Sequence, residues 1–381
     1  MSSLNDIRHQ LRKLDFPTNA LEALSRIEQL ITSRAKQDVA MDLISEFVFQ
    51  ERVRDTDLRH KLGNRHSNSP QLLVSQLNLI QEFQLVLTLV EFFSRPGADA
   101  TRNAVFLSLF GSNLNPGRSS ILAKLISTSI SGSVAPCLAS AGTWMQQLGC
   151  TSSASTEIAK SLVKDFVIYS KKTSEQLKML PMVAPRFAAN FMTAVADLYM
   201  NESVGTGAMV PPPDMLLDVF TEWITDNPSL CLASQQPLAL PSGAIAMPVV
   251  TPLAGLIRWT VLAGIQSNKP QNNVAYSKLH LGLLETILQI PPPNGPATAI
   301  NSQHLIQIIH PLNAHARKLN IENVVPESCE PFQLSLEKFA QAIQVALHSK
   351  CIYGSIPQLL GLLESLPTNN LMEIVIKANR N

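Results

Sequence analysis

An apolar periodicity of three and four residues recurs from one end of the chain to the other, and it constrains the fold more than any other feature. In APRFAANFMTAVADLY, Phe187, Phe191, Ala194, Val195 and Leu198 fall on one helical face. In LSLEKFAQAIQVALHS, Leu336, Phe339, Ala340, Ile343 and Leu347 do the same. Prolines sit between such segments or at their starts, as at Pro17, Pro185, Pro213, Pro252 and Pro357, where a missing backbone donor is tolerated. Strand signals are poor. The pattern predicts an all-α protein of about sixteen helices, stacked as antiparallel pairs in an irregular, HEAT- or armadillo-like solenoid. Two helical arrays are expected, over 1–200 and 213–381, joined by a linker at 201–212 into one continuous elongated body.

Local signals refine this. Asn19 with Glu22, and Asn370 with Glu373, have the spacing of a capping box. ERVRDTDLRHKLGNRHSNS lacks an apolar stripe and is expected to be a flexible connector, with the next helix over 70–94.

The stretch MPVVTPLAGLIRWTVLAGI, Met247–Ile265, ends the longest uncharged run in the chain, from Asp226 to Arg258. A bilayer span needs about 20 apolar residues without breakers. Here Pro228, Pro237, Pro241, Pro248 and Pro252 punctuate the run, leaving a helix from Pro252 to about Gln266. That length suits a buried helix. Arg258 inside it must reach solvent or meet a carboxylate or carbonyls, because an unpaired buried charge is costly. Trp259 brings a large apolar area and one indole donor. Together they are candidates for structural pairing or for anchoring a partner, since Trp and Arg are enriched among interface hot spots. A similar mixture occurs in YSKLHLGLLETIL, where Tyr276 and His280 share a face and Lys278 points elsewhere.

Catalytic readings fare worse. GSNLNPGRSS superficially has the look of a phosphate loop, but five residues separate its glycines and Arg118 stands where lysine is required. A helix–helix turn with Ser119 as N-cap explains it better. Asp38, Asp42 and Glu46 share a helix face, yet a cation cage needs further oxygen ligands from elsewhere. His304, His310 and His315 lack metal-site spacing, and Pro311 is expected to interrupt their helix. The five cysteines are scattered without a zinc pattern and suit a reducing compartment. A net charge of +1 without basic runs argues against nucleic acid as the main ligand. No catalytic residue, cofactor or metal site is expected, and the N-terminus carries no signal-peptide core.

The segments NDIRHQLRKLD, DLISEFVFQ, IQEFQLVLTL, FLSLF, SILAKLIS, IAKSLVKDF, APRFAANFMTAVADLY, PPPDMLLDVFTEWITDNPSL, TPLAGLIRW, YSKLHL, LSLEKFAQAIQVAL and LPTNNLMEIVI follow one another over about nine-tenths of the chain. In that order they resemble the Integrator complex subunit 15 family. TPLAGLIRW and YSKLHL are the most specific. Animal members of that family carry a longer Pro/His-rich C-terminal tail, and the insertion between RW and YSKLHL is short here. The resemblance implies a nuclear, all-helical, non-enzymatic scaffold within Integrator. It would bridge the subunit 10–13–14 module, with subunit 10 its direct neighbour, to the rest of an assembly. That assembly acts with RNA polymerase II and in small nuclear RNA 3′-end formation. A helical-repeat adaptor of another assembly is the alternative.

Overall fold

The structure is a computed structural model describing residues 4–33, 37–53, 73–111, 114–169, 174–201, 209–232, 251–266, 270–289 and 300–380. The fold is all-α. Strands among the described residues are confined to two short pairs, Glu51–Val53 with Leu73–Ser75 and Ile300–Asn301 with Ile352–Tyr353. Segments of two or three residues are too short to show an alternating pattern, which is why the sequence hides them. The chain forms two compact units, Met1–Leu148 and Gly149–Asn381. The 201–212 connector therefore lies within the second unit, with 202–208 outside the described residues.

In the first unit, the helices Thr18–Thr32, Leu79–Ser94, Asp99–Leu109, Pro116–Ser131 and Ala135–Leu148 bury their apolar faces around a ring cluster. Phe93 and Phe106 lie 5.3 Å apart, Phe106 and Phe110 5.1 Å, and Phe49 and Phe110 5.8 Å. Trp144 is fully buried and donates its indole N–H to the Phe110 carbonyl. The helix Gln37–Leu43 passes into a wide turn, Ile44–Val48, which brings Asp42 and Glu46 over the Leu4–Leu11 helix. Arg8 meets Asp42 at 2.9 Å and Glu46 at 3.1 Å, and Arg12 meets Glu46 at 2.6 Å. Two of the three carboxylates on that face are thus held by arginines, while Asp38 is exposed.

Four local expectations shift. The Thr18–Thr32 helix starts one residue before Asn19, which therefore sits in the first turn and caps nothing. The cap of the Asn370–Asn379 helix is Asn369, in extended conformation, accepting from the Met372 N–H at 3.0 Å. The full capping box occurs instead at Asn78 and Gln81. The Pro116–Ser131 helix is capped by Asn115, not Ser119, and Pro116 takes the first-turn position where its missing N–H is harmless. The connector also begins later than expected, because Glu51–Val53 pairs with Leu73–Ser75; residues 54–72 lie outside the described residues.

In the second unit, the Pro252–Gln266 helix is the centre. It packs against the helices Pro185–Leu198, Pro270–Gln289, Ser302–Ile321 and Glu330–His348. Every residue from Pro252 to Ala263 is buried except Arg258, which is partly exposed. Two glycines permit the close approach. A methyl at Gly255 would collide with the Ala196 side chain, and one at Gly264 would lie 2.7 Å from the Pro331 carbonyl. Gly264→Ala is expected to lose about 1–3 kcal/mol by overpacking, read as a lowered urea midpoint. Gly97→Ala, with open space around it, is the matched control and should leave the midpoint unchanged.

The Ser302–Ile321 helix continues through Pro311 rather than breaking there. One backbone bond is lost at the proline. Burial of Leu305, Ile308, Ile309, Leu312 and Leu319 on both sides of it holds the helix together. No described helix is long and apolar enough to cross a membrane.

Candidate functional site

In the second unit Arg258 meets the end of the Pro185–Leu198 helix. The last carbonyls of a helix lack intrahelical donors. Here they are met by side chains of another helix. Arg258 donates through Nη2 to the Ala196 carbonyl and, at 3.4 Å, to the Tyr199 carbonyl. Trp259 donates its indole N–H to the same Ala196 oxygen at 3.2 Å. A cation at this end also opposes the negative pole of the helix. Adjacent residues of one helix therefore cap another from the side.

Trp259 completes an aromatic stack beneath this cap. Its ring lies 5.8 Å from Phe220 in near-parallel orientation and 6.0 Å from Tyr199 edge-on. Burial pushes the pKa of Arg258 down from its ordinary value, and the charge of nearby Asp197 opposes that shift. Asp197 behaves reciprocally: burial raises its carboxyl and Arg258 counters.

Arg258 lines two cavities. One, of about 560 Å³, is walled by Thr193, Asp197, Gln303, His304 and Gln307, with Gly255 among the smaller lining residues. The other, of about 410 Å³, is bounded by Asn201, Gln307, His310 and Pro311. Among the described residues the arginine Nε and the His304 Nδ1 are buried without protein partners. Burial and then the Arg258 charge lower the pKa of His304, favouring its neutral form. Thr193 Oγ1 donates to the Ala189 carbonyl at 3.0 Å. The arrangement can bind and orient polar groups. His310 is exposed, His315 lies 5.6 Å from the Phe332 ring, and no metal-holding cluster occurs among the described residues.

The other candidates occupy a second seam. Tyr276 is buried, and burial followed by the Asp214 charge raises its phenol pKa. His280 is buried, with Nε2 2.9 Å from Gln341 Oε1 on the Glu330–His348 helix. Beside it Lys338 reaches Ser277 at 3.4 Å, its ammonium pKa lowered by burial. Lys278 points outward into solvent. Tyr276 and His280 line neither cavity, so the five candidates form two groups rather than one site.

One polar constellation was missed. In the first unit Arg118 donates from Nε to Glu51 Oε1 at 2.7 Å and from Nη2 to Oε2 at 2.6 Å, a two-pronged pair with both residues buried. Asn115 donates to Glu51 at 2.6 Å, Arg118 also reaches the Leu109 carbonyl at 3.2 Å, and its guanidinium covers the Phe49 ring at 4.6 Å. Burial raises the Glu51 carboxyl, but the hydrogen bonds and charge of Arg118, with Asn115, outweigh it and hold the pKa below its usual 4.5. This is the job of the arginine in GSNLNPGRSS. It locks the Glu51–Val53 strand onto the start of the Pro116–Ser131 helix.

Comparison with known proteins follows this architecture along its length. The family model described as Integrator complex subunit 15 matches residues 5–368. A Drosophila melanogaster protein named Integrator complex subunit 15 is 56% identical, covering 97% of this chain and 95% of its own length. The human protein of that name is 30% identical over 98% of this chain and 87% of its own length, and the Danio rerio protein 27% over 98% and 81%. The chain belongs to the Integrator complex subunit 15 family.

Proposed function

We propose that this chain is a non-enzymatic scaffold of the nuclear Integrator complex. It joins the subunit 10–13–14 module to the rest of the assembly, in RNA polymerase II transcription regulation and small nuclear RNA 3′-end processing. The observation that carries the reading is the near full-length match to proteins named as Integrator subunits. The side-chain geometry supports it. Arg258, Trp259 and His280 are engaged in packing the second unit, and Arg118 and Glu51 in packing the first. Their most conspicuous polar chemistry holds helices together. A scaffold must also leave apolar surface open for partners. Leu79, Ile80, Phe83 and Leu87 give the first unit such a stripe.

The test is reconstitution. The purified chain, mixed at micromolar concentration with Integrator subunit 10 alone and with the subunit 13–14 pair, is run by size exclusion. Stoichiometric co-elution with subunit 10 is expected. Separate elution from every one of these proteins would refute the bridging role.

A further inference from the structure

The outer face of the Pro270–Gln289 helix carries a pattern that its packing does not use. Tyr276, Leu279, Leu283 and Ile287 point into the unit and are buried. On the opposite side Val274, Leu281 and Leu288 are 59%, 60% and 59% exposed, at steps of seven residues. Lys278 and Glu285 stand between them, both exposed. Three large aliphatic side chains at heptad spacing form the seam with which one helix covers another. Lone exposed leucines need no explanation, but an ordered stripe marks an interaction face.

The charges say what covers it. Lys278 lies three residues before Leu281 and Glu285 four after it, about 4.5 and 6 Å along the axis on either side of the centre of the stripe at ~1.5 Å rise per residue. A second copy of the same helix laid antiparallel across this centre brings Lys278 within one residue, about 1.5 Å along the axis, of Glu285 of the other copy, twice, an offset that the two long side chains span. It also sets Val274 beside Leu288 of the other copy, and Leu281 beside its own equivalent. A parallel arrangement in register would instead put the charged positions of the two copies on opposite edges of the seam, where neither Lys278 nor Glu285 meets its opposite. The face is therefore complementary to itself in one direction only, the requirement of a two-fold interface. The Leu79, Ile80, Phe83 and Leu87 stripe of the first unit offers no comparable charge pattern to name its occupant.

We propose that this face docks a second copy of the chain through antiparallel pairing of the Pro270–Gln289 helices. One helix pair buries roughly 1,000 Å², at the low end for specific association, so the dimer is weak and concentration-dependent, with Kd on the order of tens of micromolar. The proposal goes beyond assembly with other Integrator subunits and does not depend on it.

Light scattering on the isolated full chain across ~1–200 µM, a range bracketing that affinity, tests it. The mass is expected to rise from 41.7 kDa toward twice that value. K278E and E285K, on exposed positions, should each weaken self-association at least about tenfold without moving the melting temperature. Mixing the two variants should restore a one-to-one pair, because both cross-contacts then join opposite charges. A constant 41.7 kDa mass throughout the range overturns the proposal. Unchanged association of the single variants, or failure of the mixture to pair, also overturns it. Loss of a co-purifying subunit from K278E with no change in the mass of the isolated chain assigns the face to that subunit, and overturns it too.

Discussion

Arg118→Met is expected to lower the stability of the chain by about 3–5 kcal/mol. The reason is what remains: a Glu51 carboxylate, fully buried at its side chain, with its two-pronged partner gone. Joint replacement, Glu51→Leu with Arg118→Met, should recover much of the loss, because two apolar side chains leave no orphaned charge. The pH dependence separates this from simple loss of packing. In the natural chain the folded pKa of Glu51 lies below the usual 4.5, so its stabilisation is complete above that value and fades as pH falls through the folded one. Without Arg118, burial raises the folded pKa instead, and protonation relieves the penalty. The gap between variant and natural chain should therefore begin to narrow above pH 4.5, as the raised carboxyl of the variant protonates, and go on narrowing below it, as the natural chain loses its own contribution. Urea unfolding at pH 7 and pH 4 measures both quantities. A pH-independent gap would show that the pair is not the source.

Arg258→Glu should destabilise the second unit by about 3–5 kcal/mol, through a mispaired charge and lost hydrogen bonds. It sets a carboxylate against the carbonyls of Ala196 and Tyr199 and close to Asp197, where the only remaining donor of the pair is the Trp259 indole. Arg258→Lys keeps the charge but not the fork, and should cost about 1 kcal/mol. Thermal melting, run beside reconstitution with subunit 10 well below the melting point, separates structure from partner contact. A melting temperature unchanged in Arg258→Glu, with co-elution lost, would move the arginine from helix capping to partner binding.

These two arginines show where sequence reading works and where it stops. The Pro252–Gln266 helix was legible as a buried one, because prolines punctuate the uncharged run before it and leave a segment too short for a bilayer. That Arg258 needed an acceptor was also legible, from the cost of a buried charge. The acceptor itself was not: Ala196 and Tyr199 offer main-chain oxygens, and a carbonyl leaves no mark on residue identity. Glu51 and Arg118 are 67 positions apart, so no local spacing joins them. Glu51 also opens a charged, stripe-free segment that reads as connector. The capping errors are of another kind. Asn369 and Asn370 are chemically identical neighbours, and only backbone conformation decides which one accepts from the helix. Pro311 breaks no helix because packing on both sides outweighs one missing bond. Tyr276 and His280 turn inward and Lys278 outward, as their spacing along the helix had indicated.

The central claim, that this chain works as a structural subunit of Integrator, meets its most direct test in affinity purification from nuclear extract at native salt, followed by mass spectrometry. The expected result is recovery of Integrator subunits in stoichiometric amount, retained by Arg258→Lys. Recovery of the intact, folded chain with no Integrator subunit would contradict it.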